Sequence, residues 1–384
     1  MLRIIQLTTD NREHSKNYAA PAPYFGAAPE ALLDGFAGLP GAEVHVVSCV
    51  RQPVASPSKL AENIHYHSLV VPKIGWMRTL YLGCIRSVRT LLGEIGPDIV
   101  HGQGTERDCA ISAVHSGFPN VVTIHGNMAE IQRLNLHGHP WFGRAASLLE
   151  THTLKRTSGV FCNSAYTKEL VSPRAKRTWL VPNAIRSSFF RPSSQIHGRN
   201  AVPQLLNVGL VSERKRQLEV LNVVRELAEE GHGIKIVFAG NLAEHTPYGR
   251  RFVEELKRGE EAGYAAYAGF LDAGSLIDLM DGSEGFVHFP SEEAFGLVVA
   301  EAMARGLKFF GADLGGIRDI CDDVPGPELS QNFSELKSSI SRWLDAGAGR
   351  SPESAVVMAE RYRPEVVAAQ HMKIYHDVLS SSVS

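Results

Sequence analysis

The chain has 384 residues, which is too many for one typical hydrophobic core and suits two domains of about 180 residues each. Its composition, 44% hydrophobic and 21% charged, is that of a globular protein in water, and no apolar run approaches the roughly 18 residues of a membrane-spanning helix. Five scattered cysteines indicate a reduced, cytoplasmic setting, and a net charge of −2, without dense basic stretches interleaved with aromatic residues, argues against nucleic-acid binding.

Apolar strand-like runs alternate with helix-like stretches along the chain, a pattern that predicts parallel sheets covered by helices. The first apolar run is too short for a signal peptide, so we expect a strand there. The strands predicted in the first half are 3–8, 43–49, 64–71, 98–101, 121–125, 159–162 and 179–181. Those predicted in the second half are 205–208, 234–239, 265–268, 285–289 and 308–311.

The polar stretch 191–203 separates the two series of strands. Prolines bracket this stretch and it has no helical period, so we expect a linker there. The expected domains are residues 1–190 and residues 203–363, each an α/β domain with a parallel sheet. A last amphipathic stretch, 364–380, has proline at its first turn and predicts a helix.

A histidine, His125, ends the strand predicted at 121–125. Open parallel sheets bind ligands at the carboxyl ends of their strands, so this position favours a functional role. A purely structural histidine is the alternative. The strand predicted at 98–101 ends in His101, which either lines the same ligand site or is an ordinary strand end.

The first half of the chain is mildly basic, with 19 lysines and arginines against 13 acidic residues up to residue 190. Three of these arginines, Arg78, Arg86 and Arg89, edge an apolar stripe in the stretch 76–92. Such a helix suits an anionic lipid surface, which would give the protein a peripheral position at the inner face of the membrane. A helix packed against the core, with solvated arginines, is the alternative.

Clustered cations follow the first predicted strand of the second half. Arg214 and Lys215 lie just beyond the strand 205–208, at the carboxyl end where an open parallel sheet binds its ligand. This position suits an anionic ligand. A solvated, charged helix start is the alternative.

Two glutamates lie eight residues apart at the junction of a predicted strand and a predicted helix. Glu293 lies in the loop, and Glu301 lies about two turns into the helix if the helix begins near Phe295. The N–H groups of Phe295, Gly296 and Leu297 would then be unpaired donors at the positive end of the helix dipole, which suits a diphosphate. A carboxylate beside them can accept from two ribose hydroxyls. An ordinary amphipathic helix with solvated acids is the alternative.

The stretch 290–306 consists of Pro-Ser, one residue, Glu, seven residues, Glu-Ala-Met-Ala, one residue and Gly. This order resembles the signature of the retaining glycosyltransferases of the GT-B fold, family 4 (glycosyl transferases group 1), which includes bacterial lipopolysaccharide and mannosyl transferases. Residues 181–185, Val-Pro-Asn-Ala-Ile, resemble the segment that closes the first domain of this family, and 315–319, Gly-Gly-Ile-Arg-Asp, resemble the element behind its donor pocket. The resemblance implies two Rossmann-like, doubly wound domains facing each other across a cleft, with the helix 364–380 crossing back to the first domain.

The resemblance also implies an activity, that of a retaining hexosyltransferase (EC 2.4). A sugar would pass from a nucleoside diphosphate sugar, UDP- or GDP-linked, to a hydroxyl of a glycan, a lipid-linked glycan or a small molecule, as in bacterial polysaccharide or glycoconjugate biosynthesis. No cofactor and no metal ion are implied, since the sequence has no Asp-x-Asp element and its cations would replace magnesium. A sugar-nucleotide-binding protein of the same fold without catalytic activity is the alternative.

Residue roles follow at the positions that match the family's motifs. Glu293 would hold hydroxyls of the donor sugar, Glu301 the ribose, and His125 the sugar or the acceptor. Lys215, joined by Arg214, would bind the pyrophosphate. The expected catalytic residues are therefore Glu293, His125 and Lys215.

Three glycines complete the expected donor site together with the N–H groups at the helix start. The resemblance places Gly26 in a loop under the diphosphate, Gly209 before the cation cluster, and Gly269 where the backbone holds the base. Two positions depart from the family pattern, because Leu210 stands where the family has arginine and Ala27 replaces a second glycine. The phosphate site would then depend more on the helix N–H groups.

Overall fold

The computed structural model describes residues 1–133, 140–192 and 200–381. The chain divides into two compact units: the first contains the residues up to Arg186 and those from Tyr362 onward, and the second is Ser187–Arg361. Within the expected linker, residues 193–199 lie outside the described residues. None of the described helices combines the length and the apolar character needed to cross a membrane.

The strands of the first unit are β1 (Leu2–Leu7), β2 (Ala42–Val50), β3 (Lys59–Ala61), β4 (Ile64–Val70), β5 (Ile99–Gln103), β6 (Asn120–Ile124), β7 (Val160–Cys162) and β8 (Thr178–Leu180). They form one sheet in the order β3-β4-β2-β1-β5-β6-β7-β8. Every neighbouring pair is parallel except β3 and β4, which are antiparallel.

The helices of this part of the chain are α1 (Asn11–Ser15), α2 (Ala27–Phe36), α3 (Leu82–Ile95), α4 (Asp108–Val114), α5 (Met128–Arg133), α6 (Pro140–Arg156) and α7 (Ala165–Val171). Successive side chains of a strand point to opposite faces. Accordingly, Ile4 and Val44 belong to one buried cluster, and Ile5 and Val47 belong to another. Both faces of the sheet are therefore buried, as is usual for parallel sheets.

Helix α3 overlaps the stretch that the sequence offered as a lipid-facing helix. It turns Cys84, Val88 and Leu92 inward, while Arg86 and Arg89 stay exposed. This is the core-packed arrangement given above as the alternative.

The strands of the second unit are β9 (Gln204–Val208), β10 (Lys235–Ala239), β11 (Ala265–Gly269), β12 (Gly285–His288), β13 (Lys308–Ala312) and β14 (Glu328–Ser330). They form a parallel sheet in the order β11-β10-β9-β12-β13-β14. The helices along this part of the chain are α8 (Gln217–Glu229), α9 (Pro247–Ala262), α10 (Ala273–Asp281), α11 (Leu297–Ala304), α12 (Gly315–Cys321), α13 (Phe333–Asp345) and α14 (Pro352–Tyr362).

Helix boundaries follow from capping residues, as α9 illustrates. The Thr246 hydroxyl oxygen accepts from the N–H of Gly249 at 3.0 Å, and Pro247 occupies the first turn. Gly263 ends the helix with a φ of +87°, a left-handed conformation that glycine adopts without strain.

The last helix, α15 (Pro364–Ser381), belongs to the first unit, as expected. It packs closely against α2, because a Cβ at Gly35 would lie only 2.1 Å from the carbonyl oxygen of Pro364. Its Tyr375 is fully buried, and the Gln6 side chain on β1 donates to the tyrosine hydroxyl at 2.9 Å. The terminal helix is thus part of the first unit's core.

The predicted fold class, α/β with two parallel sheets, is confirmed. The sequence pattern predicted every described strand except β3 and β14. Each of these two has three residues and lies at an edge of its sheet. Most of their side chains are partly or fully exposed, so neither forms an apolar run.

Candidate functional site

The candidate donor site lies where β9 and β12 are neighbours in the second unit. From this pair the chain continues to β10 and β11 on one side and to β13 and β14 on the other, which makes the pair a topological switch point. The buried Asn207 side chain on β9 donates to the carbonyl oxygen of Val287 at 2.7 Å and joins the two strands. Open α/β sheets bind ligands outside the carboxyl ends of such a pair.

Lys215 and Glu293, from the loops after these two strands, form an ion pair. Their side chains are only 14% and 13% exposed. His288, the last residue of β12, completes the cluster, because its Nε2 donates to Glu293 Oε2 at 3.0 Å and lies 3.3 Å from Lys215 Nζ. The sequence predicted Lys215 and Glu293 but missed His288. The available signal was a histidine at the end of a buried apolar run.

Burial determines the charges of this cluster at neutral pH. By itself burial raises the pKa of Glu293, but the charge of Lys215 and the hydrogen bond from His288 outweigh it and hold this pKa well below its usual value. Burial and the charge of Lys215 lower the pKa of His288 to about 4. The cluster therefore combines an ionised carboxylate, a cation and a neutral imidazole.

Arg214 joins the two loops at the same edge of the sheet. Its Nη1 donates to the carbonyl oxygen of Glu292 at 2.9 Å and lies 3.3 Å from the carboxylate of the same residue. In return, the N–H of Ser291 donates to the carbonyl oxygen of Arg214 at 2.8 Å. The Arg214 side chain is 34% exposed, so part of its guanidinium group remains accessible to an anionic ligand.

Helix α11 begins at Leu297, two residues later than predicted. Gly296 precedes it with a φ of +92°, a conformation that favours glycine. Glu301 consequently lies in the second turn, and it is only 4% exposed. As at every helix start, the N–H groups of the first turn have no partner within the helix and form its positive end.

Helix α12 supports the loop that carries Glu293. The N–H of Gly316 donates to the carbonyl oxygen of Glu293 at 2.9 Å. A Cβ at Gly316 would lie 2.3 Å from the carbonyl oxygen of Ala294 and 2.5 Å from the Cα of Phe295. Only glycine allows this approach, so the Gly-Gly element expected behind the donor pocket contacts the loop directly.

Gly209 and Gly269 lie at the carboxyl ends of β9 and β11, on either side of Gly240, which follows β10. The N–H of Gly240 donates to the carbonyl oxygen of Gly269 at 2.8 Å. A Cβ at Gly240 would lie 2.2 Å from the carbonyl oxygen of Gly209. The lack of a side chain at Gly240 therefore allows the backbone after β10 to pass close to the backbone after β9. Leu210, at the position of the family's arginine, has a side chain 54% exposed and brings no charge to this edge.

His125 directly follows β6 in the first unit. Its Nε2 donates to Gln103 Oε1 at 3.0 Å, since an amide oxygen can only accept. Burial lowers the pKa of His125 to about 4, so the imidazole is neutral at neutral pH. The two side chains line a small pocket, whose other lining residues include Ala28, Thr123, Asn183 and His371.

A chain of buried hydrogen bonds continues from Gln103 into the core. Gln103 Nε2 donates to Gln6 Oε1 at 2.8 Å, and Gln6 Nε2 donates to the Tyr375 hydroxyl at 2.9 Å. This hydroxyl lies 2.6 Å from Nδ1 of His101, which is fully buried behind the pocket. With Tyr375 donating to His101, every bond points away from His125, which is thereby held in its Nε2–H tautomer.

Gly26 precedes helix α2 with a φ of +90°, and its carbonyl oxygen accepts from the N–H of Glu30 at 3.1 Å. Gly26 is therefore the residue at which the chain turns into helix α2. Ala28 of the same helix lines the His125 pocket.

Glu106 is a further carboxylate near His125 that the sequence did not single out. It accepts from the N–H of Gly126 at 2.8 Å, and burial raises its pKa to about 7. A Cβ at Gly104 would contact both Glu106 and His125, at 2.2 and 3.6 Å. Glu106 lies in an irregular loop outside any recognisable motif, so no sequence signal pointed to it.

Sequence profiles of two known families match the chain in succession. Glycosyltransferase Family 4 matches residues 31–189, and Glycosyl transferases group 1 matches residues 191–342. The chain belongs to the GT-B glycosyltransferases. The second match contains the cluster of Lys215, His288 and Glu293, and the first contains His125.

Solved structures resemble this GT-B glycosyltransferase over nearly its whole length. Sucrose-phosphate synthase from Thermosynechococcus elongatus superposes with a TM-score of 0.75 and 17% identity, covering 99% of this chain and 100% of that one. HepE of Anabaena in complex with UDP-glucose superposes with a TM-score of 0.69 and 16% identity, covering 99% and 100%. Because the sequence identities are this low, these superpositions establish a shared fold alone.

Curated relatives of this GT-B glycosyltransferase are distant and longer. A trehalose synthase of Pyrococcus horikoshii is 25% identical over 183 residues, which are 47% of this chain and 44% of that protein. The chain spans about half the length of the curated relatives it matches.

Proposed function

We propose that this protein transfers a hexose from a nucleoside diphosphate sugar to an acceptor hydroxyl with retention of the anomeric configuration. The observation that carries the proposal is the buried cluster of Lys215, Glu293 and His288 before α11, at the switch point of the second sheet. A lysine and a helix N-terminus suit a diphosphate, and an ionised carboxylate beside them suits sugar hydroxyls.

A UDP-hexose is the donor that we propose first, and GDP-sugars are the second class. Structures of the similar protein HepE contain UDP and UDP-glucose. In the present chain, we expect Glu301 to accept from ribose hydroxyls and the backbone at Gly269 to contact the base. We expect the N–H groups of Phe295, Gly296 and Leu297 to hold the diphosphate.

The chemical barrier of this reaction is the departure of the diphosphate. Negative charge grows on the leaving group, so donors placed in advance stabilise the transition state more than the ground state. Lys215 and the α11 N–H groups have this role, with Arg214 at the edge. When the Lys215 ammonium group binds the phosphate instead of Glu293, the Glu293 carboxylate becomes available to accept from hydroxyls of the donor sugar.

Retention follows if the acceptor attacks on the face from which the diphosphate leaves. The bond between the anomeric carbon and the phosphate oxygen breaks, the acceptor oxygen bonds to that carbon, and the departing phosphate oxygen takes the acceptor proton. No side chain forms a covalent intermediate in this proposal, and lysine and arginine supply the positive charge in place of a metal ion or cofactor. His125 contacts the sugar or the acceptor as a neutral hydrogen-bonding group.

The test is a donor screen of the purified protein with UDP-, GDP-, ADP- and dTDP-sugars. We expect one nucleotide class to raise the melting temperature and to be hydrolysed slowly without acceptor. Glu301→Ala should abolish both effects, whereas Glu254→Ala, an exposed glutamate on α9, should leave them unchanged. If none of the donors changed the melting temperature, the proposed donor site would be refuted.

A non-catalytic binder is the second candidate, and the exposed Leu210 at the arginine position favours it. Nucleotide stabilisation without hydrolysis, and without transfer to a panel of acceptors, would support this candidate. NMR assignment of the anomeric configuration in any transfer product decides separately whether the reaction retains or inverts.

A further inference from the structure

Three side chains of types that commonly bind metal ions meet near the amino-terminal ends of β2 and β4 in the first unit, opposite to the carboxyl end of β6 that precedes His125. Glu43 and His45 lie two residues apart on β2 and therefore point to the same face. The parallel register of β2 with β4 pairs His45 with His65. Strand pairing thus joins ligands that lie far apart along the chain, which is why short-range motif spacing gave no sign of them.

The ligand atoms of these residues face one another. Nε2 of His45 lies 3.4 Å from Glu43 Oε1, and Nε2 of His65 lies 3.8 Å from the same oxygen. All three ligand atoms lie within 4.8 Å of one another. Ligands about 2.0–2.2 Å from a tetrahedral zinc ion are themselves roughly 3.3–3.5 Å apart, so only small side-chain movements separate this arrangement from a coordinated one.

Two neighbouring side chains hold the ligands in place. Nδ1 of His45 and Nε2 of His67 share a hydrogen bond of 3.0 Å. Arg3 Nε donates to Glu43 Oε2 at 3.1 Å, which leaves Oε1 directed at the imidazoles. Metal-binding histidines usually use their second ring nitrogen in such a bond, which fixes the ring and its tautomer.

The remaining nitrogen of His45, Nε2, makes no well-aligned hydrogen bond, although it lies 3.4 Å from Glu43 Oε1. His45 is only 8% exposed, and its Nε2 is a buried atom without a hydrogen bond among the described residues. Buried polar atoms are nearly always satisfied, so an orphan directed at a carboxylate and a second imidazole calls for an explanation. A bound cation provides it, because each of the three groups would then donate a lone pair.

We propose that Glu43, His45 and His65 bind one Zn²⁺ ion, with a water molecule in the fourth position. Two imidazoles and one carboxylate are a ligand set that zinc favours. The His65 and Glu43 side chains are 29% and 20% exposed, so the ion has a path from solvent. This site links β2 to β4, and it is independent of the proposed transfer reaction.

The test is a zinc titration of the untagged, chelator-treated full chain by calorimetry, with the absorption spectrum of the Co²⁺-substituted protein as a second readout. We expect one ion per chain and the intense absorption of tetrahedral cobalt. His65→Ala and Glu43→Gln should each weaken binding at least about tenfold. His14→Ala, which removes an exposed histidine of α1, should change neither readout.

Two results would overturn the proposal. One is the absence of saturable binding to the wild-type chain. The other is unchanged affinity and cobalt spectrum in both ligand variants when circular dichroism shows them folded. The second result would mean that the ion binds at another site. The buried group of Cys49, Cys84 and Asp108 is one such site, and Cys84→Ser would then test it.

Discussion

The ion pair of Lys215 and Glu293 is nearly closed off from solvent, so the loss of one partner should cost more than the loss of both. We expect Lys215→Met to lower the free energy of unfolding by about 3 kcal/mol, because it leaves a buried carboxylate uncompensated. The double variant Lys215→Met/Glu293→Gln should regain most of this stability and still lack donor-dependent activity. Urea unfolding and the donor assay measure the two effects separately.

A surface ion pair provides the matched control for this prediction. Arg258 pairs with Glu255 at 2.6 Å, but its side chain is 69% exposed. Arg258→Met should therefore change the free energy of unfolding by no more than about 1 kcal/mol. A double variant as unstable as Lys215→Met alone would show that the buried charge is not the cause.

At the scale of elements, the contact of α12 with the Glu293 loop leaves no room for a methyl group. We expect Gly316→Ala to lower the free energy of unfolding by about 1–3 kcal/mol, because the new Cβ would overlap backbone atoms of residues 294 and 295. Nucleotide affinity should fall as well, since the loop must move. Gly349→Ala, at a glycine with open space around it, is the control. Equal stability and affinity in both variants would contradict this account of α12.

Helix α15 contributes to the first unit through the hydroxyl of Tyr375. Tyr375→Phe should lower the free energy of unfolding by about 1–3 kcal/mol, because the buried side chains of Gln6 and His101 would both lose a partner. The tautomer of His125 should also become less fixed, which ¹⁵N NMR of the imidazole would detect. Tyr264→Phe is the control, since no hydrogen bond of its hydroxyl is found in the described part of the chain. An unchanged imidazole spectrum would rule out the long-range effect.

At the scale of the whole molecule, buried histidines make stability depend on pH. Burial lowers the pKa values of His125, His288 and His371 to about 4, against 6.5 for an unperturbed histidine. As pH falls below 6.5 the unfolded chain binds protons that the folded chain does not, so the free energy of unfolding decreases. Glu106 acts in the opposite sense between pH 7 and 4.5, because its pKa is raised to about 7 in the folded state. Other histidines, such as His101, also have lowered pKa values, and together these histidines outnumber the carboxyl groups with raised ones, which favours acid destabilisation.

We therefore expect the melting temperature to fall steadily from pH 7 to pH 4.5 at constant ionic strength. His371→Leu, which removes one of the histidines whose folded pKa is about 4, should make this decrease shallower, and His14→Ala should not. Below pH 4.5 Glu293 should add to the effect. The unfolded chain then protonates this carboxyl, whereas the folded chain keeps it ionised because its folded pKa lies below the unfolded value. A melting temperature that rises toward pH 4.5 would contradict the assignment of neutral imidazoles.

The fold and one side of the donor site could be predicted because their signals are local. Alternating apolar runs indicated the sheets, and the motif at 290–306 placed Glu293 and Glu301 within one strand-to-helix junction. His288 and Glu106 were missed, because a single titratable residue at a strand end or in a loop has no spacing to recognise. The bond between Gln6 and Tyr375 spans 369 positions of the chain. Only tertiary structure brings such a pair together.

The return of α15 to the first unit also determines the order in which the protein can fold during synthesis. The second unit is, in effect, an insertion within the first, because the chain enters it at Ser187 and leaves it at Arg361. A ribosome therefore releases every residue of the second unit before Tyr375 emerges to pair with Gln6. The second unit can reach its native state as soon as it is synthesised, whereas the first, although begun earlier, must wait for its last helix with Gln6 and His101 still unsatisfied.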